Sequence, residues 1–319
     1  MKRDLLLFAG FSLLIMVVPQ LFQGGYLMNV LVFVGINTML AIALNLLLGY
    51  AGQISLGHAA FFGLGAYSSG ILTTTFSCDP WLAMPVAAAA VGCLAYVIGF
   101  PILKLKGHYL AMATLGFGII IYIIFNETVD WTGGPSGLSS IPNLQLGGIN
   151  FNSDVKNYYL IWCVTLAVML FALNLANSRV GRALRAVHDS EVAAQVLGVN
   201  ARVLKVQIFA LSAVISSLAG SLYAHTMTFI SPASFGFNFS IELLTMVVIG
   251  GLGSIYGSFL GAALLTLLPE VLRGANDYDI IIYGALLMVM VMFMPGGLVR
   301  GIPALYRKIV TRKTGGDHA

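Results

Sequence analysis

Between two apolar runs lies the segment SRVGRALRAVHDSEVAAQVLGVNARVLK, Ser178 to Lys205, carrying Arg179, Arg182, Arg185, Arg202 and Lys205 out of 16 basic residues in the chain. Their chemistry is electrostatic: guanidinium and ammonium groups that pair with acidic surfaces or stay in water. One Arg or Lys at the centre of a bilayer costs about 2.5–3.5 kcal/mol, so five would cost roughly 15 kcal/mol. The segment therefore lies outside lipid. Within it, Asp189 or Ser190 can accept hydrogen bonds from the first free amides of a short helix. Glu191 sits where the helix dipole favours negative charge, and Gly198 supplies a left-handed stop. This punctuation predicts about two turns of helix, Ser190 to Leu197, held at the membrane surface as an element that another protein grips.

A second constellation lies inside an apolar stretch, Leu44 to Gly70. Asn45, Gln53, Ser55 and His58 are interleaved there with Gly49, Gly52, Gly57, Gly63 and Gly65. Amides and an imidazole at that depth must face the bundle interior or a water-filled path, where unwound backbone is also tolerated. Three readings of His58 are open: an imidazole satisfied by neighbouring groups, a side chain lining a solute path, or a proton relay. A second glycine-rich stretch, Ile249 to Gly261, follows about 200 residues later, and paired glycine-broken spans can mark a central pathway. The four-residue spacing of Gly253, Gly257 and Gly261, and of Ser216, Gly220 and Ala224 beside Ala213, Ser217 and Ser221, lets helices approach closely. That serves packing within the chain or against a second membrane subunit.

Other chemistry is missing from the sequence. No GxxxxGK[ST] phosphate loop, nucleophile–base pair or metal-ligand spacing occurs, so the chain reads as a non-enzyme without a metal or cofactor of its own. Glu242 and Glu270 fall near expected span ends, and no chain of carboxylates crosses the middle, so nothing here powers uphill transport. The three cysteines, Cys78, Cys93 and Cys163, give no disulfide framework and read as packing residues.

The elements that must position these groups are membrane helices. Hydrophobic residues make up 59% of the 319 and charged residues 9%, with a net charge of +4, against roughly 25% charged in a soluble domain. The basic residues cluster at span ends, which excludes nucleic acid as the partner and points to the lipid bilayer. Apolar segments at about 5–22, 27–48, 53–76, 81–103, 109–126, 158–176, 206–226, 240–256, 258–272 and 280–298 predict an all-α polytopic membrane protein of about ten spans. The pair between 240 and 272 is one long helix or a broken one. The basic start MKRD with no small-residue cleavage site predicts an uncleaved first helix. With both termini in the cytoplasm, all basic residues except Lys156 and Arg273 fall inside, as the positive-inside rule requires. The whole chain, 1–319, reads as one transmembrane domain with a cytoplasmic loop at 178–205, an external loop at 127–157 and a basic cytoplasmic tail at 300–319. The external loop holds Gly133, Gly134, Pro135 and Gly137, which make turns, and it reads as a partner or gating surface or as a plain connector.

The polar island resembles the EAA signature of bacterial ABC importer permeases. Glu191, Ala193, Ala194, Gly198 and Ile208 match it, with Val192 as an extra residue between Glu and Ala and no proline after Leu211. GYAGQISLGHAAFFGLGAY from Gly49, GHYLAMATLGFG from Gly107, TGGPSGL from Thr132 and the island itself together resemble the branched-chain amino acid permeases of the LivM type, over roughly residues 27–300. The resemblance implies an importer permease fold with a short cytoplasmic coupling helix in the bacterial inner membrane. It also implies a second, homologous permease, two ATP-binding subunits carrying ATP and magnesium, and a periplasmic solute-binding protein. On that footing Arg182, Arg185, Asp189, Ser190, Glu191, Ala193, Ala194, Leu197 and Gly198 contact the ATPase. Asn45, Gln53, Ser55 and His58 are then candidates for the path, and Gly133, Gly134, Pro135 and Gly137 for the binding protein. The implied solute is a branched-chain or other hydrophobic amino acid. The alternatives are urea or a short amide, or a standalone carrier or channel.

Overall fold

The computed structural model describes residues 2–21, 25–146, 149–150, 153–272, 284, 288, 292 and 297–299. The expected span at 280–298 and the tail at 300–319 lie outside these residues apart from those few positions. The helices are α1 (Lys2–Leu21), α2 (Gly25–Asn45), α3 (His58–Thr74), α4 (Pro80–Ile102), α5 (His108–Glu127) and α6 (Val129–Thr132). They continue with α7 (Asp154–Asn177), α8 (Arg179–Asp189), α9 (Glu191–Val196), α10 (Ala201–Met227), α11 (Phe237–Gly250) and α12 (Ile255–Leu272). Two short strands, β1 (Gln145–Leu146) and β2 (Ile149–Asn150), pair antiparallel with Gln145 opposite Asn150.

Among the described residues, six helices are long and apolar enough to cross a membrane: Gly25–Tyr50, Pro80–Ile102, His108–Glu127, Asp154–Asn177, Ala201–Met227 and Ile255–Leu272. The chain is a helical, multi-pass membrane protein. α2 is its central post, with 83% of its most apolar stretch buried against 28% for α5.

Two expectations are corrected, at 53–76 and at the cysteines, and the choice left open at 240–272 falls to the broken form. The span expected at 53–76 begins as helix only at His58. α2 ends in a π-helical turn, Leu46–Tyr50, and 52–57 is a non-helical strap. Counting apolar residues missed it because Gly52 and Gly57 break the backbone without lowering hydropathy. The stretch 240–272 is a hairpin of two helices: α11 has 14 residues, too few to span about 30 Å, and α12 has 18. Its turn uses Gly251 and Gly253 at positive φ, and Gly261 faces the backbone of Met246. Finally, Cys78, Cys93 and Cys163 are all exposed rather than packed inside.

The small-residue ridges pack within the chain. Among the described residues, α3 and α10 form the most extensive helix pair, running parallel, with His58 beside Ser212 and Ser69 beside His225. A methyl group at Gly220 would fall on the backbone of Phe62, and one at Gly65 on that of Ser217. Glycine there removes the side chain that would hold the two backbones apart. Lys106, α8 and α9 share one end of the bundle, and Leu138 and Pro142, bonded to Ile230 and His225, lie at the other.

Candidate functional site

At the basic end, the chain leaves α7 through a tightly fastened elbow. The Ser178 hydroxyl caps α8, accepting from the amides of Val180 (3.1 Å) and Gly181 (3.3 Å). Two arginines then cap the last carbonyls of α7. Arg182 donates to Asn177 O at 3.2 Å, Arg185 donates to Ala176 O, and the Arg185 guanidinium lies 5.7 Å from the Tyr50 ring centre. Cations at a helix C-terminus are favoured by its dipole. Arg182 and Arg185 thus spend donors on their own chain and tie α8 to α7 and α2.

The predicted short helix is present as α9, and α8 is a second helix ahead of it. Ser190 is the cap, accepting from Ala193 N at 3.3 Å, while Asp189 is the last residue of α8 and exposed. Gly198 ends the element at φ +82°, with Val199 N donating to Ala194 O at 3.0 Å. Ala194 is buried against Val187 and Ala201, and Ala193 points to the exposed side. The outer face is apolar: Val192, Val196 and Leu197 are 70%, 82% and 80% exposed. Leu197 was expected as the last residue of the short helix. Val192 and Val196, one turn apart, were not singled out, although their four-residue spacing around buried Ala194 carries the signal.

An ion pair latches α9 to the bundle. Lys205 Nζ of α10, only 4% exposed, lies 2.7 Å from Glu191 Oε2, and Lys106 Nζ approaches the same oxygen at 3.9 Å. Beside this latch is a cleft of about 230 Å³, walled by Gly52, Gln53, Lys106, His188, Glu191 and Lys205. His188 packs on Gly52, which has φ +68° and no side chain to obstruct the ring. Gln53 donates to Ala51 O at 3.0 Å and so belongs to this cleft at the basic end.

The strap carries the connection inward to the next polar group. The Ser55 hydroxyl lies 3.1 Å from His58 Nδ1, and His58 Nε2 lies 3.3 Å from the Ser212 hydroxyl. Ser212 donates onward to Phe209 O at 2.8 Å, so it accepts from Nε2–H, and Nδ1 accepts from Ser55. Around them, Thr114 accepts from Leu56 N at 3.0 Å and Ser240 from Ala59 N at 3.4 Å. Hydroxyls from three neighbouring helices therefore complete the start of α3. A matching fastener closes the far end, where His225 Nδ1 donates to Pro142 O at 2.8 Å and Nε2 meets Ser69 at 2.7 Å.

Asn45 stands apart from Gln53, Ser55 and His58. Its amide donates to Ser254 O at 2.9 Å and Ser258 Oγ at 2.7 Å, and its oxygen accepts from Gly253 N at 2.9 Å. It clamps α2 to the α11–α12 turn. At the opposite end, Gly133, Gly134 and Gly137 adopt positive φ around a 3₁₀ turn, and Pro135 is exposed. The turn is tied to the rest of that end by Leu138 N donating to Ile230 O at 2.8 Å. Exposed Trp131 and Phe76 stack beside it, 6.4 Å apart.

Residues 26–293 match the family described as branched-chain amino acid transport system / permease component, and the chain belongs to that family. It is 33% identical over 262 residues to the high-affinity branched-chain amino acid transport system permease protein LivM of Escherichia coli, covering 75% of this chain and 62% of that protein. The LivM permease of Salmonella typhimurium is 32% identical over the same shares, so the chain spans less than two thirds of the length of both. The LivH permease of Escherichia coli is 31% identical over 155 residues, 47% of this chain and 50% of that one. No solved structure matches the chain.

Proposed function

We propose that this chain is a permease subunit of an ATP-driven importer that carries branched-chain or other hydrophobic amino acids across the bacterial inner membrane. One observation carries the reading: α9 is capped at Ser190 and latched through Glu191 and Lys205, yet it presents Val192, Val196 and Leu197 to the outside. A six-residue helix cannot hold together alone, and an apolar face fixed beyond the membrane surface fits the groove of another protein. The basic end is the cytoplasmic one, as its Lys and Arg content supports. The partners are two ATP-binding subunits, which hold ATP and magnesium, a second homologous permease and a periplasmic solute-binding protein. The binding protein meets the turn at Gly133, Gly134, Pro135 and Gly137.

Closure of the ATPase pair moves α8 and α9 as one body. Arg182 and Arg185 pass that motion to α7, Lys205 passes it to α10, and His188 pushes on the strap at Gly52. α7 and α10 rock relative to each other, and the path opens on the far side. Relatives named for branched-chain amino acids weigh against urea or a short amide as the solute. The test is reconstitution of the assembled importer in liposomes with labelled leucine. Uptake that requires ATP, the ATP-binding subunits and the second permease is the expected result. Accumulation against a gradient by this chain alone would refute the proposal.

A further inference from the structure

α11 begins inside the bundle: Ser240 reaches Ala59 N at the start of α3, and its last residues reach the turn that Asn45 clamps. Glu242 lies eight residues from the end of this helix, about 12 Å along it, and two residues past Ser240, whose hydroxyl meets the start of α3 inside the bundle. The sequence suggested a carboxyl near a span end, and the short helix α11 sets it in mid-helix instead. Glu242 is half-buried, and among the described residues no hydrogen bond or ion pair reaches it. No Lys or Arg occurs between Lys205 and Arg273 that could pair with it from α10, α11 or α12. An unpaired carboxyl on a membrane helix is costly toward lipid and is kept where it meets a solute path.

Its neighbours on the same face complete a ligand set. Asn238 and Thr245 lie four residues before and three after, so the three side chains form one stripe. Asn238 is exposed at the N-terminal turn, where the helix dipole is positive. Thr245 donates its hydroxyl proton to Ile241 O at 2.8 Å, which leaves its oxygen free to accept. Phe237 and Ile241, 44% and 41% exposed, flank the stripe with apolar surface.

We infer that α11 forms a wall of the solute path and that Glu242, with Thr245, receives the ammonium group of a zwitterionic amino acid whose carboxylate points toward Asn238. This rests on the importer reading above. The orientation follows from charge: the positive helix start faces the carboxylate, and the acceptors one turn on face the ammonium. Phe237 and Ile241 take an apolar side chain.

The test uses the complete importer in liposomes, with wild type, Glu242→Gln and Glu242→Asp compared for labelled leucine uptake, ATP hydrolysis and subunit composition. Gln is cheaper than Glu in a membrane, so insertion is preserved. Glu242→Gln is expected to lower uptake at least about tenfold while ATP hydrolysis stimulated by the loaded binding protein stays within about twofold. Glu242→Asp is expected to keep uptake within about threefold of wild type. Wild-type uptake in Glu242→Gln would overturn the inference and leave the importer reading standing. Loss of the second permease from the Glu242→Gln complex would also overturn it, making Glu242 a subunit-pairing residue. Absence of leucine uptake by the wild-type complex would instead bring down the importer reading beneath it.

Discussion

Ser55, His58 and Ser212 are each at most 1% exposed and use their polar atoms on one another, whereas Val192, Val196 and Leu197 at α9 are 70–82% exposed. The two regions invert the usual distribution, with polar groups sealed inside and apolar groups turned outward beyond the membrane. Inside lipid the hydrophobic effect cannot sort helices, so hydroxyl–imidazole links and close glycine contacts fix which helix meets which. At the surface, an apolar face that folding leaves uncovered is available to a partner. The contrast teaches that the inner constellation holds the chain together while the outer one is left uncovered, as the proposed docking role of α9 requires.

Three substitutions sharpen that contrast. The largest effect is expected at the inner interface: Gly220→Leu sets a side chain on the backbone of Phe62 and should destabilise the fold by more than about 3 kcal/mol. Loss of a monodisperse peak in detergent checks it, and a wild-type melting curve would break the account of α3–α10 packing. Next, His58→Ala removes two links and leaves Ser55 and Ser212 short of a partner, at an expected cost of about 3 kcal/mol. The melting temperature should fall, and the surviving protein should still transport in the assembled importer. Normal stability with abolished uptake would move His58 from fastener to path. Third, Glu191→Gln leaves the Lys205 ammonium buried without its carboxylate, at a cost of about 2 kcal/mol because Glu191 itself is partly in water. Lys205→Met, which removes the charge and keeps the stem, should cost less. The reverse order in paired thermal melts would contradict the latch.

Much of this could be read from residue types. The Ser190 cap, the Glu191 start and the Gly198 stop place α9 to within a residue, because capping is local chemistry. α4 runs from Pro80 to Ile102, one residue from its expected ends at 81 and 103, because Asp79 and Pro80 mark a helix start. The glycines marked both stretches for a possible break, but the bounds of the strap at 52–57 and of the short α11 were not legible, since hydropathy counts side chains and is blind to backbone breaks. Nor was the clamp at Asn45, whose partners lie over 200 residues away in sequence. Lys205 looked like one more surface cation until the fold brought Glu191 to it.

Association of the purified chain with the proposed ATP-binding subunits, compared between wild type and the double variant Val196→Asp plus Leu197→Asp, bears most directly on the proposed outward role of α9. Both side chains are about four-fifths exposed, so melting should stay within about 0.5 kcal/mol of wild type. The ATPase should fail to copurify, and ATP-driven uptake should be lost with it. A variant that melts normally and still binds the ATPase with wild-type affinity would contradict the assignment of α9 as the docking element.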